Sequence, residues 1–137
     1  PIDFGEINAT QVGPESEINI TNAGNMMINI SLNGHGGIIG DGFAMSCSLG
    51  DNNISIGYEK YNLTETNPGS LSLAEFETLY TNLTSNPVVR SFNLNYRQND
   101  ILNDAIDSTY WRIYVPLGVA GTCNGTILFG ATQAAGA

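Results

Sequence analysis

The sequence predicts an all-β domain, an immunoglobulin-like or jelly-roll-like sandwich of seven or eight short strands with one short helix. Three observations predict this fold. Apolar and polar residues alternate in short runs along most of the chain, as they do on half-buried strands. Clusters rich in glycine, proline and asparagine separate these runs and are typical of turns. One segment, residues 73–83, instead carries apolar residues at helical spacing, and it follows the capping-box pair Ser72 and Glu75.

Each predicted strand is a short alternating run between turn signals. The alternation of the first strand slips near Gly5, which indicates a bulge. The turn sequence at 22–25 predicts a hairpin between the second and third strands, and the last two strands are expected to form a hairpin that closes the sandwich. The helix is expected to cover one end of the sandwich. The strands are predicted at 1–8, 17–22, 26–33, 43–48, 54–61, 88–96, 109–116 and 117–129.

Length and charge limit the classes of partner. The 137 residues fit a single domain, residues 1–137, and carry a net charge of −9. A nucleic-acid-binding surface needs many lysines and arginines, so no nucleic-acid partner is expected of a chain with four. No apolar run approaches the ~20 residues of a membrane helix, so no membrane span is predicted. The chain begins at Pro1 without a leader sequence, as expected of a processed, mature chain.

The two cysteines, Cys47 and Cys123, are both predicted to point into the core. Cys47 shares a strand face with Met45, and Cys123 shares one with Ile127. A buried disulfide between them is expected in an oxidising compartment, where closing so long a loop would contribute on the order of 4 kcal/mol. Two separate buried thiols are the alternative.

Sequences that accept N-linked glycans are the strongest functional signal. Seven N-x-S/T sequons occur, whereas the 17 asparagines and 21 serines and threonines would produce about 2.6 by random placement. The alternative is that a β-protein rich in asparagine and threonine makes such sequences by accident. The acceptors are Asn8, Asn19, Asn29, Asn53, Asn62, Asn82 and Asn124.

Strand periodicity places several of these acceptors on solvent faces. Asn19 lies opposite the face that carries Ile18 and Ile20, and Asn29 and Asn53 are placed in the same way on their strands. The charged fraction is only 12%, so sugar would help to keep such a surface soluble. The pattern predicts an extracellular chain with N-linked glycans.

Groups that could perform catalysis or hold a metal are few. His35 is the only histidine, and nothing in the sequence nominates the nucleophile and acid that would accompany a general base. Asp100, Asp104 and Asp107 form the densest cluster of oxygen ligands, but their spacing is not that of a calcium loop, and a solvated acidic loop is the expectation. We therefore predict no catalytic residue, no metal, no cofactor and no enzymatic activity.

Four tyrosines could form a surface for sugar binding. Tyr58, Tyr61, Tyr110 and Tyr114 are candidates because aromatic rings stack on the apolar faces of sugars. The alternative is that these rings pack at a subunit interface or against Arg112.

Three stretches of the chain carry a resemblance to known proteins. They are Ile-Asp-Phe-Gly at 2–5, Ile-Asn-Ile-Thr-Asn-Ala-Gly-Asn at 18–25, and Trp-x-Ile-x-Val-Pro at 111–116 followed by Gly-Thr-Cys-Asn-Gly-Thr-Ile-x-Phe at 121–129. They resemble immunoglobulin-like domains of archaeal cell-surface proteins. A free-standing sandwich dense in sequons is also similar to subunits of archaeal extracellular filaments, the glycosylated threads and bundling pili, which are related in fold to the bacterial TasA fibre.

This resemblance implies a homopolymer assembled head-to-tail by donor-strand complementation, in which a terminal strand of one copy completes the sheet of the next. It implies a cell-surface appendage that serves adhesion or biofilm formation. Residues 1–12 are the expected donor because Ile2, Phe4 and Ile7 could anchor in a groove. The alternatives are that this segment is an ordinary first strand, and that the domain is a carbohydrate- or partner-binding module of a cell-surface or S-layer protein.

Overall fold

Ten strands, one α-helix and one turn of 3₁₀ helix form the part of the chain that this computed structural model describes, residues 3–50, 52–64, 71–96 and 105–134. The predicted all-β sandwich is confirmed, with more strands than expected because two of them are only two residues long. The strands are β1 (Ser16–Thr21), β2 (Ile28–His35), β3 (Phe43–Gly50), β4 (Ile54–Ser55), β5 (Glu59–Asn62), β6 (Thr81–Asn82), β7 (Val88–Leu94), β8 (Ile106–Ile113), β9 (Val119–Asn124) and β10 (Thr126–Gln133). The helix α1 is Leu73–Leu79, and the 3₁₀ turn is Ile56–Tyr58.

The strands form three antiparallel sheets. One has four strands in the order β1-β8-β5-β6, and the other two have three strands each, β10-β2-β7 and β4-β3-β9. The inner face of the four-stranded sheet contributes the large aromatic residues of the core, and β2 and β7 contribute aliphatic and aromatic residues opposite them. The main core includes Tyr61, Trp111, Ile113, Ile30, Leu32, Phe92 and Leu94.

A single continuous stretch joins the two three-stranded sheets. β9 pairs with β3 and β10 pairs with β2, yet only Gly125 separates β9 from β10. A Cβ atom at Gly125 would overlap the main-chain carbonyl of Ala44, so the backbones approach at this corner as closely as glycine alone permits. Glycine is therefore required where the chain passes from one sheet to the next.

The two predicted hairpins are wrong. β1 pairs with β8, whereas β2 pairs with β10 and β7, so the turn between β1 and β2 carries the chain from one layer to the other. The side chain of Asn22 holds this crossing. Its Nδ2 donates to the carbonyls of Met26 (2.8 Å) and Leu94 (3.1 Å), and its Oδ1 accepts from the Gly24 amide (3.0 Å). A buried asparagine that bonds across layers replaces the expected hairpin ladder.

The closing pair of strands also separates. β8 lies between β1 and β5, whereas β9 pairs with β3. The chain turns between them at Gly118, whose φ of 86° lies in the left-handed region. This crossing brings Cys123 to its register partner Cys47, and the two form a disulfide, as predicted.

The capping box predicted for the helix is present. The Ser72 hydroxyl accepts from the Glu75 amide, and the Glu75 carboxylate accepts from the Ser72 amide. The helix ends at Leu79 rather than residue 83 because Thr81 and Asn82 join the sheet as β6. It covers the outer face of the four-stranded sheet rather than an end of the sandwich, because its Phe76 ring lies over the ammonium nitrogen of Lys60 on β5. Within the described ranges, no helix combines the length and apolar character required to cross a membrane.

Candidate functional site

An open groove runs between the two layers of the sandwich. Its lining comes from β1 on one side and from β9 and β10 on the other, with a cavity of about 450 Å³. Among the described residues, β1 pairs only with β8, and β9 and β10 each have a single partner strand. The groove is thus bordered by strand edges that still carry hydrogen-bonding groups. Its apolar lining includes Ile18, Met45, Cys123, Ile127 and Phe129.

The N-terminal segment, residues 3–8, lies over this groove. Phe4 is only 9% exposed and belongs to the main core, and Ile7 packs against that core. A second cavity of about 750 Å³ adjoins the first one at Phe4 and is lined by this segment together with β9. The predicted first strand is wrong, because residues 3–8 form no strand in the described structure. The segment therefore contributes side chains to the core without joining a sheet. The third predicted anchor, Ile2, lies outside the described residues.

The segment is connected to the domain through a strained residue. After the segment, two backbone hydrogen bonds fix the chain to the end of β8. The Thr10 amide donates to the Val115 carbonyl (2.6 Å), and the Gly13 amide donates to the Ile113 carbonyl (2.9 Å). Thr10 has a φ of 67°, a region that β-branched residues rarely adopt, so its conformation costs free energy on the order of 1–3 kcal/mol. Thr10 thus joins the segment to the part of the chain that is bonded to the end of β8.

A carboxyl group lies in the groove. Glu59 is 2% exposed and, with its register partner Ile113, it belongs to the inner face of the four-stranded sheet. Burial raises the pKa of Glu59 to about 8 from 4.5. The side chains that line the cavity around it are apolar or neutral, with Asn124 and Thr126 the polar ones. The groove therefore favours the protonated, uncharged form of Glu59.

The sequon asparagines divide into two groups by exposure. Asn8, Asn19, Asn82 and Asn124 are exposed, as the alternation predicted for Asn19. The other three, Asn29, Asn53 and Asn62, are half-buried. All seven lie in the described part of the chain, and none is in the core.

The hydrogen bonds of the amides separate these acceptors further. The Oδ1 atoms of Asn29 and Asn53 accept from the amides of Asn93 and Cys47, both at 2.9 Å, which leaves Nδ2, the atom that carries a glycan, out of the bond. The Nδ2 of Asn62 instead donates to the Leu79 carbonyl (2.9 Å). Asn62 is thus the acceptor whose glycan-bearing atom is engaged at the end of α1.

Two basic side chains lie buried between α1 and the sheet. Arg112 is 0% exposed, its Nε donates to the Tyr80 hydroxyl (2.9 Å) and its Nη1 donates to the Gly13 carbonyl (3.1 Å). The Tyr80 ring lies 5.8 Å from the guanidinium carbon, and the Phe76 ring lies 5.3 Å from the Lys60 ammonium nitrogen. Aromatic rings of the helix and of the residue that follows it thus cover two basic side chains that face each other across β5 and β8.

The predicted tyrosine surface is only partly assembled. Tyr61 points into the core, where its ring lies 5.1 Å from that of Trp111, so its assignment to an exposed platform is wrong. Tyr58 and Tyr114 are half-buried neighbours with ring centroids 5.3 Å apart. Tyr110 is also half-buried.

Two of the remaining candidates, His35 and Asp107, contact the residues that follow them in sequence. The Nδ1 of His35 lies 3.2 Å from the Gly36 carbonyl, within the glycine-rich turn. Asp107 is exposed, and its Oδ1 accepts from the Ser108 amide (2.8 Å); Asp100 and Asp104 lie outside the described residues. No group of three potential metal ligands occurs within the described ranges.

Sequence reasoning missed the buried charges Glu59, Lys60 and Arg112. Continued from Ile54 and Ile56, the alternation would place Lys60 inward and Glu59 outward. The 3₁₀ turn Ile56–Tyr58 shifts the alternation by one residue, so Glu59 faces inward instead. One signal was available, because Arg112 is one of four basic residues in the chain and lies between Trp111 and Ile113.

Comparison with protein-family models, with curated proteins and with solved structures finds no match for this chain. Function is therefore inferred from its own residues.

Proposed function

We propose that this chain is a structural subunit of a secreted, N-glycosylated extracellular filament, a pilus or thread that assembles by donor-strand complementation and serves adhesion or biofilm formation. Its partners in this proposal are further copies of itself and N-linked glycans. The observation that carries the proposal is the open groove between β1 and β9–β10, where Phe4 of the segment 3–8 forms part of the lining although that segment pairs with no strand among the described residues.

The contacts of the segment can be exchanged between copies. Phe4 and Ile7 contribute only side-chain packing to the groove, so moving them to a neighbouring copy breaks no strand ladder among the described residues. In a neighbour, the segment could add main-chain hydrogen bonds to the open strand edges that border the groove. Strain at Thr10 favours this exchange, because that strain is relieved when the chain extends.

Exchange in one direction gives an open polymer. The segment and the groove are different surfaces of the chain, so the contact between copies is heterologous and does not close on itself unless a rotation forms a ring. Each added copy leaves a free groove at one end and a free segment at the other. This geometry supports a filament.

The distribution of sequons supports glycosylation of the outer surface. The exposed acceptors lie on different elements: Asn8 ends the segment, Asn19 is on β1, Asn82 is on β6, and Asn124 is on β9, where it also lines the groove. Glycans spread in this way would shield a surface of low charge.

Deleting residues 1–8 tests the assembly. This variant keeps the bonds of Thr10 and Gly13 to the end of β8, so the domain remains anchored. We expect the full chain to form fibres in negative-stain images and the truncated chain to stay monomeric. Ile39→Ser, which removes an exposed isoleucine elsewhere, is the matched control and should still form fibres. Fibres from the truncated chain would contradict the donor assignment, and a full chain that stays monomeric at high concentration would contradict the filament.

Intact mass tests the glycans. Protein purified from the cells that make it should exceed the chain mass by several glycans, and an unmodified mass would remove this part of the proposal.

A second candidate function is a carbohydrate- or partner-binding module of a cell-surface or S-layer protein. The half-buried pair Tyr58 and Tyr114 favours it, since two neighbouring rings can stack on a sugar. A soluble monomer that binds a glycan array, and loses binding on Tyr114→Ala, would support this function instead.

A further inference from the structure

A polar hollow on the outer face of the four-stranded sheet brings together an amine, a carboxamide and a carboxylate. It is lined by Lys60 of β5, Asn82 of β6 and Glu77 of α1, together with Ser55, Gly57 and Tyr58. Lys60 and Asn82 are register partners, so their backbones are fixed opposite each other. The Lys60 Nζ contacts the side-chain amide of Asn82 at its Oδ1. None of these residues has a part in the groove.

We propose that Lys60 and Asn82 form an intramolecular isopeptide bond, joining Nζ to Cγ with release of ammonia. The proposal assigns Asn82 to a cross-link rather than to a glycan, since the same Nδ2 cannot both leave and carry sugar. The isopeptide bond would form within one chain, so this proposal does not depend on whether the chain polymerises.

The surroundings of Lys60 suit a nucleophilic amine. The side chain is 5% exposed and the Phe76 ring lies over its nitrogen. Burial lowers the pKa of Lys60, while the nearby charge of Glu77 raises it. The uncharged amine, which holds the lone pair needed for attack, is therefore more populated than in a lysine in water.

The reaction needs only groups of this chain. The uncharged Nζ attacks Cγ of Asn82, a new N–C bond forms, and the carbonyl electron pair moves to Oδ1. The Glu77 carboxylate accepts a proton from Nζ and returns it to Nδ2. The Cγ–Nδ2 bond then breaks, the carbonyl forms again, and ammonia leaves. One amine and one carboxamide become one secondary amide and one ammonia, and Glu77 ends unchanged.

The bond would fix a weak part of the sheet. β6 has two residues, pairs only with β5 in the described part of the chain, and is reached through α1. A covalent link from β5 to β6 closes the loop that contains the helix, and so holds the helix over Lys60 and Arg112.

Peptide mapping of the wild-type chain tests the proposal. Bacterially expressed protein, which lacks glycans, is denatured, reduced, treated with an amine-acylating reagent and digested with a protease that cuts after glutamate, since Glu65 and Glu75 lie between the two residues. We expect residues 60 and 82 in a single branched peptide that is lighter by one ammonia, with Lys60 unacylated. Separate linear peptides with an acylated Lys60 would overturn the proposal.

Variants assign the roles. Lys60→Arg and Asn82→Ala should each have the mass calculated from their sequence, with no loss of ammonia. Glu77→Gln should strongly slow the loss of ammonia. Thr84→Val removes the sequon but keeps Asn82, so ammonia should still be lost, and Glu6→Gln should behave as wild type. In protein from glycosylating cells, a glycan on Asn82 in most molecules would also overturn the proposal.

Discussion

Glu59 and Ile113 are register partners on β5 and β8, and both belong to the inner face of the four-stranded sheet. A carboxyl group therefore occupies a position where the same sheet otherwise presents Tyr61 and Trp111 to the core. Its environment makes the stability of the domain depend on pH.

The pKa of Glu59 is about 8 in the folded chain and 4.5 in the unfolded chain, so the folded state holds its proton more tightly. Stability from this group is complete below pH 4.5 and is lost as pH rises towards 8. At higher pH the free energy of unfolding should be lower by about 5 kcal/mol. Glu59→Gln should remove this decline in urea unfolding curves, whereas Glu6→Gln should keep it. A wild-type curve that is flat between pH 5 and pH 8 would show that Glu59 is ionised without cost.

Thr10→Gly should slow assembly. Glycine adopts positive φ without strain, so the variant stabilises the closed monomer by about 1 kcal/mol or more and weakens the tendency of the segment to leave. Because this change also removes the sequon of Asn8, Asn8→Gln is the matched control and should assemble at the wild-type rate. Light scattering measures both rates. A rate for Thr10→Gly that equals or exceeds the wild-type rate would contradict the claim that strain at Thr10 favours exchange.

Gly125→Ala should destabilise the domain by about 2–3 kcal/mol, because the added methyl meets the Ala44 carbonyl at the corner between sheets. Gly57→Ala is the control, since the nearest atom to its added methyl would lie 3.9 Å away. Thermal unfolding compares the two variants. Equal melting temperatures would contradict the close approach at this corner.

The disulfide between Cys47 and Cys123 joins residues 76 apart in sequence. Replacing both with alanine should lower the free energy of unfolding by about 2–4 kcal/mol, because the unfolded chain regains the freedom that the link removes. Reductant should destabilise the wild type by a similar amount and leave the double variant unchanged. A reductant effect on the variant would point to another cause.

The alternation of residues in the sequence was sufficient to predict the all-β class and the inward direction of both cysteines, and the pair Ser72 and Glu75 was sufficient to predict the helix cap. It could not predict which strands pair, because strands on either side of a short turn can form a hairpin or lie in different layers. The buried side chain of Asn22 decides this for β1 and β2 through a bond to Leu94, a residue distant in sequence. Glu59 was missed for a related reason, since a single 3₁₀ turn shifts the period by which faces are assigned.

The central claim is that Phe4 occupies the groove of another copy. A photoreactive phenylalanine analogue in place of Phe4, irradiated in the assembled state, tests it most directly. We predict a ladder of covalent multimers on a denaturing gel, with the label attached near Ile127 and Phe129 of a second chain. Cross-links found only within single chains, in a sample that remains monomeric, would contradict the account.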